Sequence, residues 1–143
     1  MKILFDTNIL VYAHNIDSPF NQKALEVYNT TENIYITHQN LLEFYSIITN
    51  DKRVETPVTN MKAQSLLKFY SDSPKFNIIS PNINTIRILN ELATQYKFKG
   101  VEIFDMYIVA TMISNDISMI YTADTKIFKK FKSITVLNPL LQK

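Results

Sequence analysis

The sequence predicts an α/β protein with a five-stranded parallel sheet layered by helices on both faces. Three observations carry that expectation. Five short apolar stretches, each too brief for a helix, alternate with longer segments whose apolar residues recur at helical spacing. The first stretch is apolar throughout, as in strands buried on both faces. No repeat, low-complexity tract or linker interrupts the alternation, so residues 1–143 are expected to form one domain, a size sufficient to bury a core without staples.

The opening carries the strongest local signal. Ile3-Leu4-Phe5 stops abruptly at Asp6-Thr7-Asn8, and an apolar segment resumes at Ile9-Leu10-Val11-Tyr12-Ala13, which reads as strand, polar corner and helix. Ligands of open parallel sheets bind just past the carboxyl ends of strands, so Asp6 stands where chemistry is done; it is equally suited to capping the next helix. Ser18-Pro19 reads as an N-cap with proline at the first helical position, ahead of Ala24, Leu25 and Tyr28. Ile34 to Thr37 is the second strand. Leu41 to Ile48 is apolar at six of eight positions, broken by Glu43 and Ser46, and predicts a largely buried helix. Past Pro57, Met61 to Tyr70 turns Leu66, Leu67 and Tyr70 inward and Lys62 and Lys68 to water, and Asp72-Ser73-Pro74 ends it. Phe76 to Ile79 is the third strand. A helix from about Asn84 to Tyr96 points Ile86, Leu89, Leu92 and Ala93 inward, and Ile103 to Ile113 is a helix with Asp105 as its one charge. A fourth strand, Ile117 to Tyr121, a short basic helix, Thr125 to Phe131, and a fifth strand, Ile134 to Leu137, precede Pro139.

Composition excludes several classes. There is no cysteine, and the two histidines, His14 and His38, are too few for a histidine-based metal site, so any metal must be held by oxygen. The single glycine, Gly100, argues against glycine-rich phosphate loops, and no nucleotide cofactor is expected. The N-terminus lacks a basic segment followed by a signal-length apolar run, and no apolar stretch is long enough to span a bilayer; no membrane partner and a cytoplasmic location are the expectations. A net charge of +2 is weak evidence for nucleic acid.

Right-handed crossovers leave few topologies for such a sheet. If strand order reverses after the first strand, strands one and four are neighbours and their carboxyl ends form the ligand crevice. Asp6 ends one, and Asp124 follows the other in Tyr121-Thr122-Ala123-Asp124. Glu43 and Asp105 interrupt apolar helices, where an unpartnered charge is costly to bury. Each alone has a plain structural explanation: a helix face reaching solvent for Glu43, a first-turn acid favoured by the helix dipole for Asp105. All four occur without a Lys or Arg at helical or strand spacing to neutralise them. Like charges about 4 Å apart repel by roughly 4 kcal/mol at an effective dielectric of about 20, so convergence requires cations or bound protons. All-oxygen ligation suits Mg2+ or Mn2+, which act in pairs about 3.5–4 Å apart in phosphodiester hydrolysis.

These motifs, Ile3-Leu4-Phe5-Asp6-Thr7-Asn8-Ile9-Leu10, Asn40-Leu41-Leu42-Glu43-Phe44, Ile103-Phe104-Asp105-Met106-Tyr107-Ile108-Val109-Ala110-Thr111 and Ile120-Tyr121-Thr122-Ala123-Asp124-Thr125-Lys126-Ile127-Phe128, span essentially the whole chain. In that order they resemble the PIN-domain nucleases, in particular the small VapC-type toxins of toxin–antitoxin pairs. The resemblance implies a sheet in the order 3-2-1-4-5 and a metal-dependent endoribonuclease site. It also implies catalytic and metal-binding roles for Asp6, Glu43, Asp105 and Asp124, with Asn8 and Thr122 orienting water or a ligand carboxylate. RNA as substrate, a small antitoxin in the cleft and a homodimer belong to the same implication. Many relatives carry a further acid where this chain has Ile127, which leaves a second metal less supported than the first.

Lys126, Lys129, Lys130 and Lys132, interleaved with Phe128 and Phe131, read either as the solvated face of an amphipathic helix or as a phosphate-binding rim for RNA. His14, Tyr12 and Tyr107 fit packing better than a cleft. Two rivals remain. Asp6-Thr7-Asn8 is close to the Asp-x-Asp opening of haloacid-dehalogenase-type phosphotransferases, but the second acid is Asn8 here and no lysine motif precedes Thr122-Ala123-Asp124. A non-catalytic RNA- or protein-binding module would not need all four acids.

Overall fold

Ile3, Leu4 and Phe5 are buried on both sides, and the sheet is built outward from them. A computed structural model describes residues 1–141. β1 (Ile3–Phe5) lies between β2 (Ile34–Thr37) and β4 (Met119–Tyr121), with β3 (Phe76–Ile79) and β5 (Thr135–Leu137) at the edges. All pairings are parallel and the order is β3-β2-β1-β4-β5, so β1 and β4 are neighbours as the switch-point argument requires. β4 starts two residues later and β5 one residue later than the apolar pattern suggests.

Helices cover both faces. They are α1 (Thr7–His14), α2 (Asn21–Thr30), α3 (His38–Ile48), α4 (Asn60–Asp72), α5 (Thr85–Gln95), α6 (Glu102–Ser114) and α7 (Thr125–Phe128), followed by a 3-10 turn at Pro139–Leu141. Strand alternation divides the core: Ile3, Phe5, Ile34 and Ile36 pack with α1 to α4, while Leu4 and Ile120 pack with α5, α6 and α7. On the first face Tyr70 meets Phe76 and Phe44 at centroid distances of 4.8 and 5.5 Å, and its hydroxyl shares a 2.6 Å hydrogen bond with His14 Nε2. Burial, helped by the Lys62 charge, pushes the His14 imidazole down to about 4, so it packs as a neutral core group.

Three elements depart from the expected pattern. α2 begins at Asn21, because the Ser18 hydroxyl accepts from the Phe20 N–H and closes a preceding turn. Buried Asn21 then donates to the carbonyls of Tyr12 and Ala13, tying α2 to the end of α1. α5 is rolled: Thr85, Ile88, Leu89 and Leu92 face inward, whereas Ile86 is 64% exposed and Ala93 is also exposed. A 2.7 Å bond between the Thr85 and Ser114 hydroxyls pins Thr85 against α6 and sets that roll. α7 is four residues long, and the chain continues to buried Phe131 through turns. No helix among the described residues is long and apolar enough to cross a membrane.

Candidate active site

The corner after β1 holds Asp6, whose N–H bonds the Tyr121 carbonyl at 2.9 Å and extends the β1–β4 pairing by one step. Its side chain is 7% exposed. Oδ1 accepts from the Thr7 N–H at 2.8 Å and caps α1, while Oδ2 accepts from Thr122 Oγ1 at 2.7 Å and Asn8 Nδ2 at 3.2 Å. Asp6 therefore caps the helix and also faces the crevice. Asn8 Oδ1 accepts from the Ala123 N–H, and Thr122 Oγ1 accepts from Asn8 Nδ2 and the Asp124 N–H. Asn8 and Thr122 thus orient the Asp6 carboxylate and hold the chain that leads to Asp124.

Glu43 is brought in by α3. Thr37 caps that helix in a reciprocal box with fully buried Asn40: each side chain accepts from the other's backbone N–H. Asn40 Nδ2 donates to Thr7 Oγ1, which donates to Glu43 Oε2 at 2.8 Å. Gln39 Nε2 donates to Glu43 Oε1 at 2.8 Å and to the Phe104 carbonyl at 3.2 Å. Both oxygens of half-buried Glu43 are engaged. The carboxylates of Asp105, in the first turn of α6, and of exposed Asp124 accept no hydrogen bond among the described residues.

Asp6, Glu43, Asp105 and Asp124 line one open cavity of about 300 Å3, together with Thr7, Asn8, Tyr12, Asn15, Ile47, Arg53 and Phe128. Burial pushes Asp6 up to about 6, against the lowering effect of the Thr122 and Thr7 hydrogen bonds and with added repulsion from Glu43 and Asp105. Asp105 is also pushed up to about 6, first by burial and then by the charges of Glu43, Asp124 and Glu102. Within the described residues no three acidic or histidine side chains stand close enough to enclose a metal ion. The set is oxygen-only, mutually repelling and unpaired with any cation, which suits a hard divalent ion, and the two carboxylates without hydrogen bonds have oxygens to offer one.

Lys126, Lys129 and Lys130 are exposed and do not line this cavity; Lys130 Nζ sits 5.5 Å over the Phe98 ring. Tyr12 does line it, whereas Tyr107 lines an adjoining, mainly apolar cavity with His38, Leu42, Pro81 and Phe104. Thr7, Gln39, Asn40 and Arg53 escape the sequence pattern. The Thr37-x-x-Asn40 spacing is a readable capping signal, but nothing local announces Arg53.

The PIN domain pattern matches residues 3–133. No curated protein sequence matches the chain significantly. Solved structures with the same fold include a sarcin–ricin-loop-cleaving VapC toxin of Mycobacterium tuberculosis, with a TM-score of 0.70 at 13% identity over 90% of this chain and 95% of that one. Another is a toxin–antitoxin complex from Klebsiella pneumoniae, with a TM-score of 0.66 at 24% identity over 96% and 98% of the two chains. A third is VapBC of Rickettsia felis bound to a DNA fragment from its promoter, with a TM-score of 0.67 at 23% identity over 96% and 98%. With its sheet order and acid-lined crevice in place and the match running over residues 3–133, the chain belongs to the PIN domain family.

Proposed function

We propose that this PIN domain is a Mg2+- or Mn2+-dependent endoribonuclease and the toxin of a toxin–antitoxin pair, acting on cytoplasmic RNA. The observation that carries the reading is the convergence of Asp6, Glu43, Asp105 and Asp124 on one open cavity without a paired cation. Asp105 and Asp124 would hold the ion through their free oxygens, and Asp6 and Glu43 would complete the acidic set from fixed positions. The ion, when bound, supplies water activation and neutralises charge developing on the phosphate. Asn8 and Thr122 keep Asp6 aimed at the cavity. Lys126, Lys129 and Lys130 form an outer rim for the RNA backbone, through contacts that weaken with salt.

An antitoxin is supported by apolar surface beside the site: Leu42 is 70%, Phe104 57% and Val101 78% exposed, and Leu42 and Phe104 line the adjoining cavity of about 320 Å3. The Klebsiella structure of the same fold is itself a toxin–antitoxin complex. A homodimer is part of the same reading, and a solution mass measurement tests it. Phosphotransfer through Asp6 is disfavoured, since that side chain is 7% exposed with hydrogen bonds on both oxygens.

The test is incubation of the purified protein with total cellular RNA and Mg2+ or Mn2+, followed by mapping of new RNA ends. Discrete cuts that vanish with EDTA and in Asp105→Asn are expected. Cuts that survive either control would overturn metal-dependent catalysis at this cavity.

A further inference from the structure

The acid-lined cavity poses an electrostatic difficulty for the substrate proposed above: an RNA phosphate must approach four carboxylates, and the lysines of the α7 region do not reach the cavity wall. Among the described residues the one cationic side chain lining it is Arg53. Arg53 sits in the turn after α3, and that turn is built rather than loose. Asn50 organises it: its carbonyl accepts from the Arg53 and Val54 N–H groups at 3.0 and 3.1 Å, and its Oδ1 accepts from the Lys52 N–H at 2.9 Å. Val54 is 7% exposed and anchors the turn in the core, and the Val58 N–H returns to the Ile48 carbonyl at 2.9 Å.

Held this way, the exposed Arg53 guanidinium forms no ion pair and no side-chain hydrogen bond among the described residues, although four carboxylates line the same cavity. A residue placed to neutralise those acids would be paired with one of them. An unpaired planar fork of donors at the rim instead matches a phosphate diester, which takes two parallel N–H bonds from arginine and only a point charge from lysine. Resting on the nuclease reading, we propose that Arg53 is a substrate-binding residue that grips a backbone phosphate of single-stranded RNA and positions the strand over the acids. The half-buried Tyr12 and Asn15 lie along the same wall, on the path the strand would take.

The experiment compares wild type with Arg53→Ala, Arg53→Lys and Lys52→Ala, the last removing an equal charge from the same turn but from a residue outside the cavity lining. Binding of a fluorescein-labelled, randomised single-stranded RNA is followed by anisotropy in Ca2+ across a salt series, and cleavage of total RNA is followed in Mg2+. Arg53→Ala is expected to weaken binding about tenfold, as for loss of a charged hydrogen bond. It should also flatten the slope of log affinity against log salt by about 0.7, one phosphate contact. Arg53→Lys should keep the slope and recover only part of the affinity, and Lys52→Ala should change affinity much less than Arg53→Ala. Unchanged thermal midpoints, expected for an exposed side chain, separate this from misfolding. If wild type binds and cuts RNA and Arg53→Ala matches it in affinity, salt slope and rate, the assignment of Arg53 falls while the nuclease reading stands. If wild type neither binds nor cuts RNA, both fall.

Discussion

Asp6 and Asp105 are pushed to about the same value along different routes. Asp6 is buried and partly relieved by hydrogen bonds, whereas Asp105 makes none and answers to burial plus three neighbouring acids. The folded pKa of Asp105 lies above its unfolded value, so its ionisation penalises the fold above about pH 6 and leaves it unpenalised below the ordinary aspartate value of 3.8. The full shift corresponds to about 3 kcal/mol and solvent screening reduces it, so Asp105→Asn should stabilise the protein by on the order of 1 kcal/mol at pH 7. Urea denaturation checks this, and a loss of stability would assign Asp105 a structural role. Thr122→Val removes the donor to Asp6 Oδ2 and the acceptor of the Asp124 N–H, at a cost of about 1–3 kcal/mol. It should also move the Asp6 pKa further up, because a bond that stabilises the ionised form is gone; NMR titration of the carboxyl reads that shift. At this scale Glu43 and Asp105 are legible as charges out of place in apolar runs, and Asp6 and Asp124 as acids just past the ends of strands. Thr7 and Gln39 are not, because their bonds to Glu43 exist only once α1 and α3 are side by side.

Helix ends do double duty here. The Thr37–Asn40 box starts α3 and, through Thr7, fixes Glu43, whereas Thr59 caps α4 away from the cavity by accepting from the Lys62 N–H. Asn40→Ala should therefore cost about 2 kcal/mol and lower cleavage as well. Thr59→Ala should cost about 1 kcal/mol and leave cleavage unchanged. Thermal melts and RNA cleavage assays on the two variants distinguish an element that positions the site from one that only supports the fold. Helical spacing places these elements, but the roll of α5 follows from the Thr85–Ser114 bond and the docking of α2 on α1 from the Asn21–Tyr12 bond, both between elements, so no single segment contains them.

For the molecule as a whole, the pH dependence of stability sums opposing contributions. The raised carboxyls of Asp6 and Asp105 take up protons in the folded state, so stability falls as pH rises from about 4 to about 6. His14 has the opposite sign: its folded value of about 4 lies below 6.5, so its contribution is present above pH 6.5 and lost as pH falls toward 4. The difference between wild type and Asp105→Asn cancels His14, and it should be near zero at pH 4 and grow up to pH 6. A bound divalent ion should remove the acid penalty, raising stability by about 2.7 kcal/mol at one hundred times its Kd. At a fixed MgCl2 concentration the increase should be larger at pH 7 than at pH 5 and should shrink in Asp105→Asn, because Kd rises as carboxylates are protonated or removed, as thermal melts will read.

Strand and helix identities, their alternation and the four acids that line the cavity could be picked out from the chain alone, because burial leaves its periodicity in adjacent residues, and an acid within an apolar run or just past a strand stands out locally. The hydrogen bonds that hold Asp6 and Glu43, the distance of the lysine stretch from the cavity and the arrival of Arg53 at its rim could not. Those depend on strand order and on loop paths that join residues as far apart as Asn8 and Thr122, separated by 114 positions in the sequence. Such contacts acquire their energy only when β1 and β4 are neighbours.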